Sequence, residues 1–271
     1  CRGSLAFGRI VDADYSLFPA DLVGSAKMYD KALRESIDYI EHKIDGHTYG
    51  GVRVDSYGYY PWGDVFHWAN SKGVKDPWNI LWESNYYDYP WACLLQFART
   101  GDQDYLDICD RHGLHLADVF MCKYHPKKHL CGACRYSPPA NHVGLDKSYK
   151  TPQPYVSVEF NHHKALSILT RYLLLGDLRA RDDFMLALNN ARLNREGSWR
   201  QCRGPGAKLW TLTEGYRLLG ASAEDVMAMM KSTVNAGRRH LDKKGGKGFG
   251  HSKGQFMYGH AAEGLIRYWW I

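Results

Sequence analysis

Histidines, tyrosines and an arginine stand in stretches that do not read as helix, and they are the residue types that move protons near neutral pH. Imidazole serves as a base, phenol as an acid, and guanidinium or amide groups stabilise an enolate-like charge. This set suits β-elimination in a uronate-containing polysaccharide. There a base removes the proton at C5, the sugar carboxylate is neutralised and the leaving oxygen is protonated. The candidate catalytic residues are His162, His163, His142, Tyr86 and Tyr87. The candidate substrate-binding residues are Arg53, Trp62, Asp64, His67, Asn85, Asp88 and Tyr149. His162 and His163 are adjacent and cannot both face inward on a helix; either can instead be a helix cap or a core residue. Two other chemistries stay open. Carboxylates at Asp64, Glu83, Asp88, Glu159 and Glu214 could supply the acid and base of a glycoside hydrolase, and a noncatalytic helical-repeat module could grip glycan or protein through its aromatic loops.

Aromatic residues make up 14% of the chain. Such side chains offer flat apolar faces with polar edges, which suit sugar rings. Some fill a core, but Tyr57-Gly-Tyr-Tyr-Pro-Trp62 lacks helical spacing and reads as loop. A net charge of +6 with dispersed Lys and Arg fits an acidic polysaccharide or oligosaccharide substrate. The dense basic stripe of a nucleic-acid protein is missing, so no nucleic-acid partner is expected. The one basic cluster, Arg238-Arg-His240 with Lys243, Lys244 and Lys247, reads as a solvated helix end. No apolar run reaches the length of a membrane span, so no membrane partner is expected either.

Seven cysteines are too sparse for a disulfide scaffold. Cys93 and Cys109 fall on apolar helix faces and read as small core residues. Cys131-Gly-Ala-Cys134, close to Cys122, His125 and His129, is compatible with structural zinc, a local disulfide or unpaired thiols in a loop. The last is the first expectation, so no cofactor is assigned.

The elements that must position these residues are helical. Ala26, Tyr29, Leu33, Ile37, Ile40 and Ile44 recur on one helix face from Ser25, and Gly46 ends it. A long aromatic, Gly-rich stretch follows to about Asn85. A helix from Pro90, ended by Gly101-Asp102, precedes a second helix with Tyr105, Cys109, His112, Leu116 and Phe120 inward. The same unit returns from His163 to Gly176-Asp177, followed by a helix with Phe184, Leu188 and Ala191. It returns again from Leu209 to Gly220, where Ser222-Ala-Glu-Asp225 reads as a capping box before Val226, Met229, Met230 and Val234. A fourth copy starts at His260. The repeat carries an insertion from Lys123 to about Tyr155 that holds five of the ten prolines. Divergent repeats with long loops predict an all-α fold, an (α/α) toroid or incomplete toroid of antiparallel helical hairpins, over residues 1–271 as a single domain. The chain begins at Cys1 and stops at Trp269-Trp-Ile271 inside an apolar pattern, which predicts a fragment of a longer multidomain protein.

Trp82-Glu-Ser-Asn-Tyr-Tyr-Asp-Tyr-Pro-Trp91, the following Leu-Leu-Gln-Phe-Ala-Arg-Thr-Gly-Asp, His112, Ala117-Asp-Val119, His142-Val-Gly144 and Asn161-His-His163 together resemble the C-terminal (α/α) toroid of exo-rhamnogalacturonan lyase-like proteins. The resemblance is clearest over residues 60–190. It implies a polysaccharide lyase acting on a rhamnogalacturonan-like glycan, with β-rich domains of the same chain preceding the toroid. The segment from Lys123 to Cys134 departs from the family's pattern. A secreted or cell-envelope setting suits such a substrate.

Overall fold

In the computed structural model the described residues are 20–39, 48–49, 52–53, 88–133, 165–194, 199, 202–243 and 256–271. Helices dominate them, as the sequence predicts. They are α1 (Val23–Tyr39), α2 (Tyr89–Thr100), α3 (Gln103–His115), α4 (Ala165–Leu175), α5 (Leu178–Leu193), α6 (Arg203–Leu219), α7 (Glu224–Lys243) and α8 (Phe256–Trp269). The only described strands, β1 (Thr48–Tyr49) and β2 (Val52–Arg53), pair antiparallel with Thr48 opposite Arg53.

The hairpins α2–α3 and α4–α5 are closed by the same chemistry. Gly101 and Gly176 adopt the left-handed conformation that ends a helix without a Cβ clash, at φ 71° and 68°. The next residue is an aspartate whose carboxylate caps the following helix: Asp102 accepts from Asp104 N, and Asp177 from Arg179 N and Ala180 N. Burial pushes the Asp177 carboxyl upward. The hydrogen bond from Arg171, together with those from the backbone, outweighs burial and holds the group below its ordinary value.

The third hairpin, α6–α7, departs from both expectations made for it. Helix α6 begins at Arg203 rather than Leu209, because Pro205 lies in the first turn, where its missing N–H costs no hydrogen bond. The capping box does not form. Residues Gly220–Ser222 make a 3₁₀ turn, and Ser222 Oγ donates back to Leu219 O instead of capping α7. Arg238, Arg239 and Lys243 are exposed near the end of α7, as expected of a solvated helix end.

Specific contacts fix the direction of each helix. Gly113 of α3 abuts Ser167 and Thr170, while Arg171 reaches the Asp110 carbonyl, so α3 and α4 are antiparallel. Lys208 Nζ donates to Asn194 O, and Gly215 abuts Leu188, so α5 and α6 are antiparallel as well. Gly206 abuts His260 and Ala261, while Glu214 meets Arg267, so α6 and α8 are parallel. Helices α2, α4, α6 and α8 therefore run in one direction, and α3, α5 and α7 return beside them. Two apolar clusters hold the array. One joins Leu33 and Ile37 of α1 to Tyr89, Cys93, Tyr105 and Ile108. The larger one centres on Ile168, Phe184, Leu188, Leu209, Leu212, Val226 and Met230.

Candidate functional site

The four parallel helices meet at one level, and the register that brings them there is uneven. Asp88, at the start of α2, accepts from Ser167 N (2.9 Å) and Ser167 Oγ (2.7 Å) in the first turn of α4. The carboxylate thus sits on the positive end of a neighbouring helix and ties two helix starts together. On the other side, Gly215 abuts Leu188 of α5, and antiparallel pairing within α4–α5 puts Leu188 near Ala165. Glu214 is therefore level with the starts of α2 and α4. Residues 203–213 of α6, about 16 Å of helix at 1.5 Å per residue, extend beyond that level.

A charged cluster occupies this level. Glu214 Oε1 accepts from Arg267 NH1 (2.7 Å) and from Arg217 NH1 (2.8 Å). Arg267 also donates through Nε (3.0 Å) and NH2 (2.7 Å) to Glu263 Oε1. Its guanidinium carbon lies 5.2 Å from the centroid of the Trp91 ring, within cation–π range. One arginine on α8 thereby touches α6 and α2, joining the last described helix to the first of the parallel set. Glu214 and Arg267 are only 9% and 13% exposed, so these contacts lie largely out of water, where removal of one partner is costly.

The extended half of α6 carries a second grouping. Every residue from Gly204 to Gly215 is buried. Trp210 stacks on His260 with ring centroids 4.8 Å apart and planes at 20°. Burial, aided by the positive charge of Arg203, lowers the His260 pKa to about 4, so this imidazole is neutral near pH 7. His115 on α3 is likewise lowered to about 4 by burial. The Cys93 thiol is pushed up to about 12 by burial, and Cys109 is raised from the same cause, which fits their reading as core residues.

Of the residues expected at the site, Asp88 is described in full, and its carboxylate serves as the clasp between α2 and α4. Arg53 is described only as a residue of β2. Trp62, Asp64, His67, Asn85, Tyr86, Tyr87, His142, Tyr149, His162 and His163 lie outside the described residues. So do Asp64, Glu83 and Glu159 of the carboxylate set, whereas Glu214 sits in the charged cluster. Tyr86 and Tyr87 immediately precede Asp88 in the chain, and His162 and His163 precede Ala165 by two or three residues. Sequence reasoning missed Trp91, Arg217, Glu263 and Arg267. Glu214/Arg217 and Glu263/Arg267 read as ordinary surface ion pairs at helical spacing; their one distinguishing signal is that they interrupt helices otherwise rich in small and apolar residues.

No protein family, curated protein or solved structure matches the chain. Among the described residues no helix is long and apolar enough to cross a membrane.

Proposed function

We propose that this protein is a carbohydrate-active (α/α) toroid domain that cleaves a uronate-containing, rhamnogalacturonan-like glycan by β-elimination. The observation that supports the reading is the convergence of Asp88, Ser167, Trp91, Glu214 and Arg267 from four parallel helices at one level. In sequence, the proton-transfer candidates lie directly beside the two helix starts at that level. The resemblance of residues 60–190 to exo-rhamnogalacturonan lyase-like proteins supports the same substrate class. In this reading His162 or His163 removes the C5 proton, Tyr86 or Tyr87 protonates the leaving oxygen, and Arg53 pairs with the uronate. Asp88 acts by position, tying the start of α2 to the first turn of α4.

The test is to incubate the protein with rhamnogalacturonan and with homogalacturonan and to follow absorbance of the unsaturated uronide. Replacing a true general base lowers turnover by roughly 10²- to 10⁴-fold, and that loss is expected for His162→Ala or His163→Ala, with His142→Ala as the third variant. New reducing ends without the absorbance would make the enzyme a hydrolase. Glycan binding with no turnover would make it a binding module. Near wild-type activity in all three variants would remove the histidine mechanism.

A further inference from the structure

The stretch from Cys122 to Ala133 carries Lys123, His125, Lys127, Lys128 and His129 and no acidic residue. A run of one charge type in a loop is ordinarily solvated and loose. This one is held in place. Lys123 pairs with the buried carboxylate of Asp183 on α5, and the His129 carbonyl accepts from Asn190 Nδ2 (2.7 Å) and Asn194 Nδ2 (2.8 Å). Gly132 lies so close to the Leu186 carbonyl that a Cβ would stand 2.0 Å from it. At the base of the loop Cys122 N donates to Ala133 O (2.9 Å) and Gly132 N to Cys122 O (2.8 Å). Between these anchors Lys127 N donates to His125 Nδ1 (3.0 Å), while the carbonyls of Lys127 and Lys128 accept from Leu130 N (2.9 Å) and Cys131 N (3.1 Å). The backbone of both lysines is therefore fixed before any ligand arrives.

Their side chains carry no such commitment. Lys127 and Lys128 are exposed, and among the described residues no carboxylate pairs with either. Asp183 is taken by Lys123, and Asp118, shortly before the loop, by Arg179. Two ammonium groups on adjacent residues repel each other, and an anion between them relieves that repulsion. Tyr124 in the same loop is 83% exposed, so its ring is open to stacking. The loop also stands at the right end of the array. Leu188 lies near Ala165, so Asn190 and Asn194, further along α5, hold the His129 carbonyl at the end where α2 and α4 start.

We propose that Lys127, Lys128 and Tyr124 form a binding surface for an acidic polysaccharide chain, on the same rim as the Asp88 and Glu214 groups but outside them. The lysines pair with carboxylates of neighbouring acidic sugars, and Tyr124 stacks on a sugar ring. This rests on the reading of the substrate as a uronate-containing glycan and adds where its chain extends beyond the bond that is cleaved. An ammonium on a flexible stem suits carboxylates spaced along such a chain better than one fixed anion. A nucleic acid needs a longer basic track, whereas Arg179, Arg181 and Arg192 on the neighbouring α5 are each paired with a carboxylate.

The experiment is affinity electrophoresis of the full chain through gels containing polygalacturonate, neutral galactan or single-stranded DNA, which reads binding whether or not the polymer is cleaved. Wild-type protein should be retarded by polygalacturonate alone. Lys127→Gln/Lys128→Gln should weaken that binding roughly three- to tenfold, and Tyr124→Ala roughly threefold. Arg238→Gln/Arg239→Gln, the same charge change on α7, should leave it within about twofold. Absence of retardation, equal losses in the two double variants, or DNA bound as tightly as polygalacturonate would overturn the proposal. Cleavage of the glycan with binding insensitive to the loop variants would remove this surface and leave the lyase reading standing. Loop-dependent binding with no cleavage of any acidic glycan would support the surface and remove the lyase reading instead.

Discussion

The first two hairpins and the third are built from one pattern and end differently. In α2–α3 and α4–α5 a left-handed glycine is followed by an aspartate that caps the next helix, and the leading helices are short, Tyr89–Thr100 and Ala165–Leu175. In α6–α7 glycine is followed by alanine, the turn tightens to 3₁₀, and both helices are longer, Arg203–Leu219 and Glu224–Lys243. The extra length does not extend the turn end. It runs past the starts of α2 and α4, so the middle of α6, not its beginning, faces those starts. Helix length and register, rather than the turn, thus bring Glu214 level with Asp88.

Each region holds a histidine whose pKa burial lowers, and the largest effect expected is on the pH axis. His115 in the first hairpin and His260 beside α6 both have folded pKa values near 4, below the ordinary 6.5. Protons bind the unfolded chain first, so stability is full above about pH 6.5 and is lost as pH falls toward 4. At 1.36 kcal/mol per pKa unit the loss is roughly 3 kcal/mol per histidine at pH 4 and below. Denaturant melts at pH 7, 5.5 and 4.5 should show this loss, and His260→Phe should flatten its share. A melt that is flat from pH 7 to 4.5 would contradict burial of both rings.

The seam within the long unit comes next. A Cβ at Gly206 would stand 2.4 Å from the His260 carbonyl oxygen, so Gly206→Ala must push α8 away and should cost about 3 kcal/mol. Gly259, on the same helix as His260, has open space around it, and Gly259→Ala should be neutral or stabilising by up to about 1 kcal/mol. Equal effects of the two, by urea denaturation, would break the parallel packing of α6 on α8.

Arg267 joins the long unit to α2, and Arg267→Met should cost about 2 kcal/mol. That is less than the usual value for breaking a buried pair, because Glu214 keeps Arg217. A double-mutant cycle with Glu214→Gln should show coupling of about 1 kcal/mol or more; additive effects would mean that the pair does not hold the helices together. The smallest effect separates the turns themselves. Asp102→Ala and Asp177→Ala should each cost about 1 kcal/mol through loss of a cap. Ser222→Ala, whose hydroxyl donates back to Leu219, should fall within a few tenths of zero by the same measurement.

Much of the helical order is legible from residue spacing. Pro90, Gly101-Asp102, Gly176-Asp177 and Gly220 mark helix limits through local backbone preference, and Tyr105, Cys109, Phe184, Leu188, Val226 and Met230 mark buried faces through period alone. Those features depend on neighbours a few residues away, so the sequence determines them directly. Helix α6 starts at Arg203, ahead of the apolar pattern that begins at Leu209, and only packing shows that Gly206 lets α8 approach. The clasp between Asp88 and Ser167, the cluster of Glu214 with Arg217 and Arg267, and the stack of Trp210 on His260 were decided by tertiary structure. Each joins side chains from different helices, or replaces a local partner by a distant one. Such pairings follow from helix lengths and register, which no local pattern encodes: an Asp before a helix signals a cap, but only the packed array determines that the helix it caps is the next one over.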